Sequence, residues 1–151
     1  AGAGLSALVV GTNDLAKAMN ARPAAAGAAQ SPALSPALSL TVMAARMAGL
    51  AVLDGVWNDL EDEAGLAQDC ARAADFGFDG KTLIHPGQVG PCNDVFAPSA
   101  DAVQEAEGIV AAWSQGAGTG VVTYNGKMIE RLHVDIAERV LATHEAIIAA
   151  S

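Results

Sequence analysis

Apolar residues gather in short runs at residues 6–10 (SALVV), 51–56 (AVLDGV) and 82–84 (TLI), each followed by a longer stretch whose apolar positions recur every three or four residues. Runs this short, closed by Gly, Asn or Pro, predict buried strands. The longer stretches predict amphipathic helices, so the first part of the chain reads as βα repetition. Between the first two runs, "RPAAAGAAQSPALSPALSLTVMAARMAGL" begins as a Pro/Ala/Ser/Gly loop and turns helical near Ala37. Leu38, Val42, Met43, Met47 and Leu50 are expected on one broad face of that helix, with Gly49 helping to end it. The next helix follows acidic "NDLEDEAG", places Leu66, Cys70, Ala73 and Ala74 at helical spacing, and stops at "FGFDG". Asp62 and Glu63 fall at its start, where negative charge is favourable.

Beyond Gln88 the pattern changes. Pro98 and Ser99 form a helix-start signal, with Val103, Ala106, Val110 and Trp113 on one stripe after it. "SQGAGTG" predicts a flexible turn. "VVTYNGKMIERLHVDIAERVLATHEAII" predicts a short extended piece, a glycine turn and a long helix carrying Ile129, Leu132, Ile136, Val140 and Ile147 on one side. Such a face needs a covering partner. The division that results is βα units over residues 1–90 and a helical extension over residues 91–151. Three parallel strands are too few to close a barrel and leave two open edges. The α/β pattern is therefore either part of a barrel completed by other residues or a small open doubly wound sheet.

Composition narrows the field. Of 151 residues, 52% are hydrophobic and only 17% charged, enough for a real core, and aromatics at 4% mean that small and aliphatic side chains fill it. A formal net charge of −9 argues against nucleic acid or an anionic membrane as a partner, while leaving room for a small anionic ligand in a locally positive pocket. Cys70 and Cys92 are the two cysteines, far apart and outside any Cys-x-x-Cys spacing, which argues against a disulfide framework or structural zinc and for a reducing, cytoplasmic setting. The apolar opening "AGAGLSALVVG" carries no preceding basic residue and is too short for a membrane span, so neither a signal peptide nor a span is expected. The absence of an initial methionine suggests an upstream portion.

Several residues could carry chemistry, each with a plain structural alternative. Thr12, Asn13 and Asp14 read by spacing as a helix-start capping cluster. Glu130 sits at the start of the last helix, where a carboxylate helps to satisfy free amides. His85 and Gln88 stand where the third strand is stopped by Pro86 and Gly87, at the carboxyl end where parallel α/β folds bind ligands. Asp54, Asp59, Glu61, Asp62 and Glu63 read as a solvated acidic loop without the glycine and glutamate positions of a calcium loop, although Asp54 could face a site. His133 and His144 lack the four-residue spacing of a zinc helix. No G-x-S-x-G elbow or Walker loop occurs, which leaves a serine hydrolase or nucleoside triphosphatase without support.

The segments "LVVGTNDLAKAM", "AVLDGVWNDLEDEAGL", "GFDGKTLIHPGQVGPCNDVF" and "YNGKMIERLHVDIAERVL", in this order, resemble the C-terminal half of the citrate lyase beta subunit-like proteins, a family that includes malyl-CoA lyases and belongs with the metal-dependent 2-keto-acid aldolases. The resemblance implies the C-terminal part of a (β/α)₈ TIM barrel, strands six to eight, followed by a helical C-terminal extension. It implies Asp14 as a Mg²⁺ ligand, His85 and Gln88 in the family's I-H-P-x-Q turn as contacts to the cofactor or substrate, and Glu130 as the acid/base carboxylate. Relatives usually carry aspartate at that last position and supply it from an adjacent subunit, so a homotrimer is implied. The implied reaction is Mg²⁺-dependent carbon–carbon cleavage or formation of a 3-hydroxyacyl-CoA, such as malyl-CoA, citramalyl-CoA or citryl-CoA, exchanging a 2-keto acid and an acyl thioester. Thioester hydrolysis is the alternative, and a non-catalytic assembly module is a third. The family's substrate-binding arginine and a metal-binding glutamate lie in strands that precede this sequence.

Overall fold

The computed structural model describes residues 4–22, 30–116 and 120–150. Residues 117–119 of the expected glycine-rich turn and 24–29 of the Ala/Pro-rich stretch lie outside the described residues. The described chain divides into two units, residues 1–96 and 97–151.

The first unit is built on a parallel sheet of three strands in the order β1 (Ala7–Val9), β2 (Ala51–Asp54), β3 (Gly80–Lys81). Its register pairs Leu8 with Val52 and Leu53 with Gly80. Helices α1 (Thr12–Ala18) and α2 (Ser35–Ala48) connect β1 to β2, and α3 (Glu63–Phe76) connects β2 to β3. Helix α4 (Val89–Phe96) closes the unit.

The third strand is shorter than the apolar run 82–84 predicts, and it lies just before it. β2 ends at Asp54, which pairs with Lys81, so the ladder has no further rung to offer. Thr82 gives its amide to the Asp54 carbonyl at 3.0 Å, and the Ile84 amide turns instead to the Gln88 side chain at 3.1 Å. Leu83 packs beside Leu66, Cys70 and Cys92.

Helix ends follow local chemistry. Asp62 accepts the Gly65 amide at 2.8 Å to cap α3, while Gly49 (φ 66°) and Gly77 (φ 93°) end α2 and α3 in the left-handed conformation that glycine adopts without a Cβ penalty. The main core joins Leu34, Leu38, Val42, Ala45, Val52, Ala73 and Phe78. Burying side chains such as Leu38 and Val52 contributes about 1.5–3 kcal/mol each. Ala45, rather than Met43 or Met47, completes the inward stripe of α2, because positions 38, 42 and 45 keep helical phase while 43 and 47 turn outward. In α3 the stripe is Leu66, Cys70 and Ala73, and Ala74 is exposed.

The second unit contains α5 (Ala100–Gln115), the antiparallel pair β4 (Val122–Tyr124) and β5 (Lys127–Ile129), and α6 (Arg131–Ala150). Ser99 caps α5 by accepting the Ala102 amide at 3.2 Å. Asn125 (φ 47°) and Gly126 (φ 74°) make the tight hairpin turn, both in the left-handed region a two-residue connection demands. Val103 and Ala106 of α5 are buried, as are Ile129, Val134 and Ala137. Leu132, Ile136 and Ile147, expected on the covered side of the last helix, are exposed. With Ala102, Ala106, Ile109 and Val140, Ile136 lines a largely apolar groove of about 210 Å³ between α5 and α6.

Candidate functional site

Three loops leave the carboxyl ends of the parallel strands: residues 10–11 into α1, residues 55–62 into α3, and residues 82–88 into α4. His85 and Gln88 lie on the third of them, Asp14 lies in the first turn of α1 just past the first, and Asp54 ends β2 before the second.

The polar cluster that opens α1 does not cap it. The N-cap is Gly11, with no side-chain hydrogen bond. Thr12 is buried, and a Cβ on Gly55 would stand only 2.1 Å from its Oγ1, so the second loop can pass this close only with glycine there. Asn13 reaches across to Asn58. Asp14 is left exposed in the first turn, its carboxylate folded back beside Gly11, with Oδ2 3.6 Å from where a Cβ on that glycine would lie. Among the described residues no hydrogen bond or ion pair engages it, so an acidic oxygen donor stands free at the end of β1.

On the third loop, His85 is exposed and its Nδ1 accepts the Gly87 amide at 3.1 Å, which places the proton of the neutral ring on Nε2. Gln88 is only 4% exposed and engages both ends of its amide within the protein: Oε1 accepts from Ile84 and Nε2 donates to the Trp57 carbonyl at 3.0 Å. It therefore braces the third loop against the second. Trp57 in turn donates Nε1 to the Asp62 carbonyl at 3.2 Å.

Asp54 does not face this site. It is fully buried at the end of β2, within a four-charge cluster that sequence reasoning missed. Lys81 Nζ, also buried, lies 2.9 Å from Asp54 Oδ2 and bonds Asp69 Oδ2 as well. Arg72 adds a contact of 2.7 Å to Asp54 and one of 3.0 Å to Asp69. Two carboxylates and two cations cancel, and the cluster ties β2, β3 and α3 together directly below the loops. The one trace of it in the sequence was Asp54, a carboxylate closing the otherwise apolar run 51–53. The rest of the acidic stretch is a solvated loop, with Asp59 accepting the Glu61 amide at 3.1 Å.

In the second unit Glu130 directly follows β5, and its carboxylate is exposed. The last helix is capped through the backbone and His133: the Glu130 amide donates to His133 Nδ1 at 3.0 Å and its carbonyl accepts the His133 amide at 3.0 Å. The carboxylate is not needed for capping. His133 also lines the apolar groove. Among the described residues no three His, Cys, Asp or Glu side chains converge as a metal site. No helix among them is long and apolar enough to cross a membrane.

Cys70 and Cys92 are free thiols packed with Leu66, where burial pushes Cys70 up to about 12 and raises Cys92 in the same direction. Groups held in the neutral form this firmly are packing residues rather than nucleophiles.

A parallel sheet with helices between its strands defines an α/β protein, and Asp14 and His85 stand beyond the carboxyl ends of its strands, the end at which such folds bind ligands. The chain belongs to the HpcH/HpaI aldolase/citrate lyase family, whose model matches residues 1–86. It is 43% identical over 147 residues to a (3S)-malyl-CoA thioesterase of Cereibacter sphaeroides, a match covering 96% of this chain and 50% of that protein. It is 40% identical over 106 residues to the citrate lyase subunit beta of Escherichia coli, covering 69% of this chain and 35% of the relative. Among solved structures, CitE of Mycobacterium tuberculosis in complex with magnesium, acetoacetate and coenzyme A superposes with a TM-score of 0.78 at 26% identity, over 91% of this chain and 51% of that one. A citrate lyase from Burkholderia xenovorans gives a TM-score of 0.80 at 27% identity, over 95% and 47%. The chain thus spans about half the length of these relatives that match nearly all of it.

Proposed function

We propose that this chain is the C-terminal part of a Mg²⁺-dependent enzyme that opens a carbon–carbon bond in a 3-hydroxyacyl-CoA, giving a 2-keto acid and an acyl-CoA. In this reading β1, β2 and β3 are the sixth to eighth strands of a (β/α)₈ barrel, and the second unit is its C-terminal extension. The outer edges of β1 and β3 find no partner strand among the described residues, as expected of strands whose neighbours belong to the rest of a barrel.

The observation that carries the proposal is the free carboxylate of Asp14 at the end of β1. Its hard oxygen suits Mg²⁺, which takes one or two carboxylates and completes its shell with water and substrate oxygens. Asp14 supplies one such ligand, and the remaining protein ligand comes from outside the described residues. When bound, Mg²⁺ supplies Lewis acidity to the keto-acid oxygens. His85 Nε2–H donates to a substrate oxygen at the same rim. Glu130 of a neighbouring copy in a homotrimer takes the proton of the 3-hydroxyl as the carbon–carbon electron pair moves onto the acyl fragment and passes it to that fragment, and the synthetic direction runs the same transfers in reverse.

A second reading, hydrolysis of the thioester, is favoured by the 43% identity to a malyl-CoA thioesterase across nearly the whole chain. The two separate in one experiment on the full polypeptide the gene encodes, with Mg²⁺ and malyl-CoA, citramalyl-CoA and citryl-CoA in parallel. Keto-acid release without free thiol marks the lyase. Free thiol without keto acid marks the thioesterase, and neither product marks a non-catalytic module. Asp14→Ala should lower the Mg²⁺-dependent rate roughly 100-fold or more, because the metal contributes several kcal/mol to the barrier. Unchanged turnover in that variant refutes the assignment of Asp14.

A further inference from the structure

We propose that Asn13 and Asn58 form an amide latch that positions Asp14 for a divalent cation, an inference that rests on the metal-ligand reading of Asp14. The tripeptide Asn-Asp-Leu occurs twice, at residues 13–15 in the first turn of α1 after β1 and at residues 58–60 on the loop after the neighbouring strand β2. The two asparagines meet side chain to side chain. Asn13 Nδ2 donates to Asn58 Oδ1 at 3.3 Å, and Asn58 Nδ2 donates to Asn13 Oδ1 at 3.1 Å. A reciprocal pair of this kind fixes the orientation of both amides, since each donor faces an acceptor only one way round.

The two sides of the latch differ in how firmly they are held. Asn58 follows Trp57, whose carbonyl is bound by buried Gln88 and whose indole is bound to Asp62, so its loop is anchored at several points. Asn13 lies in the first turn of a helix of 7 residues that has no side-chain cap. A helix this short is marginal by itself, and its first turn frays without outside support. Thr12, buried against Gly55, and Leu15 and Ala16, packed on the core, hold the helix on its inner side, and the bond to Asn58 adds a polar tie on the exposed side one residue before Asp14. The latch thus ties the peptide carrying the free carboxylate to a braced part of the rim, and Asn13 and Asn58 are positioning residues.

Both asparagines are exposed, so replacing them strands no buried polar group and leaves the fold intact. The test measures Mn²⁺ binding to the full polypeptide by water-proton relaxation, with Asn13→Ala, Asn58→Ala, the double variant and Asp14→Ala. Each single asparagine variant should raise the apparent Kd roughly 10-fold, as expected for groups that orient a metal ligand. The double variant should lose no more than either single, because a latch is broken once. Without metal, Asn58→Ala should also speed amide hydrogen exchange at Leu15, whose amide bonds the Gly11 carbonyl at 2.9 Å, far away in sequence. If Asn58→Ala binds Mn²⁺ like the parent while Asp14→Ala does not, the latch is refuted and the Asp14 reading stands. If the two single effects add, the asparagines act separately and the latch is again refuted. If Asp14→Ala binds Mn²⁺ like the parent, the metal reading falls and the proposal with it.

Discussion

Replacing Lys81 with methionine keeps the aliphatic stem and removes only the ammonium. In the parent, that ammonium, fully buried, lies 2.9 Å from Asp54 Oδ2 and also bonds Asp69 Oδ2, and both carboxylates are fully buried too. Without it the cluster passes from neutral to a net charge of about −1, with Arg72 left to serve both acids. Breaking a buried ion pair by removing one partner costs about 3–5 kcal/mol, and the surviving arginine favours the lower end. A loss of about 3 kcal/mol corresponds to a fall in melting temperature of roughly 6–12 °C for a chain of this size. Unfolding can be followed through Trp57 fluorescence in a Trp113→Phe background, so that the signal reports the unit containing the cluster. The double variant Asp69→Asn/Lys81→Met should recover much of the loss, because it removes one charge of each sign and leaves Arg72 and Asp54 as a neutral pair 2.7 Å apart. A Lys81→Met protein within about 0.5 kcal/mol of the parent would refute the claim that the amine neutralises these two acids.

The buried thiols give a pH dependence. In the folded chain Cys70 holds its proton up to about 12, whereas in the unfolded chain it ionises near 9.0, so ionisation favours unfolding as pH rises above 9. Stability should fall by up to about 1.4 kcal/mol per pH unit between those values, and Cys70→Ala should flatten the slope; an unchanged slope counts against it. Gly55→Ala should destabilise by about 1–3 kcal/mol through its clash with Thr12, and adding Thr12→Ala should restore part of that in urea titrations. Glu130→Gln should lower turnover of the full polypeptide by roughly 10²- to 10⁴-fold with an unaltered circular dichroism spectrum, since the Glu130 backbone and the His133 ring rather than the carboxylate cap α6.

The βα order, the glycine helix stops and the caps at Asp62 and Ser99 were legible because each depends on residues within a few positions. The end of β3 was not. It is set by where β2 runs out, a fact about a partner strand distant in sequence, and a run as strand-like as Thr-Leu-Ile carries no trace of it. The same holds for α1. Thr12, Asn13 and Asp14 have the composition of a cap, but Gly55 and Asn58 draw the first two into contacts across the loops and leave the third alone. Helical spacing gave Leu38 and Val42 correctly but overreached to Met43 and Met47, and in α6 it chose Leu132 and Ile136 over Val134 and Ala137, because apolar residues cover more of each helix than its neighbours can bury. Lys81, Asp69 and Arg72 were invisible as a group, since only the folded sheet brings their charges together.

The self-cancelling quartet beneath the loops has an outward effect. Since its two acids and two bases sum to nothing, the whole formal charge of −9 is carried by groups other than these four, most of them facing solvent. A polyanion such as a coenzyme A ester would then diffuse toward this chain against a repulsive field. Added electrolyte, by shortening the reach of that field, should quicken encounter rather than slow it.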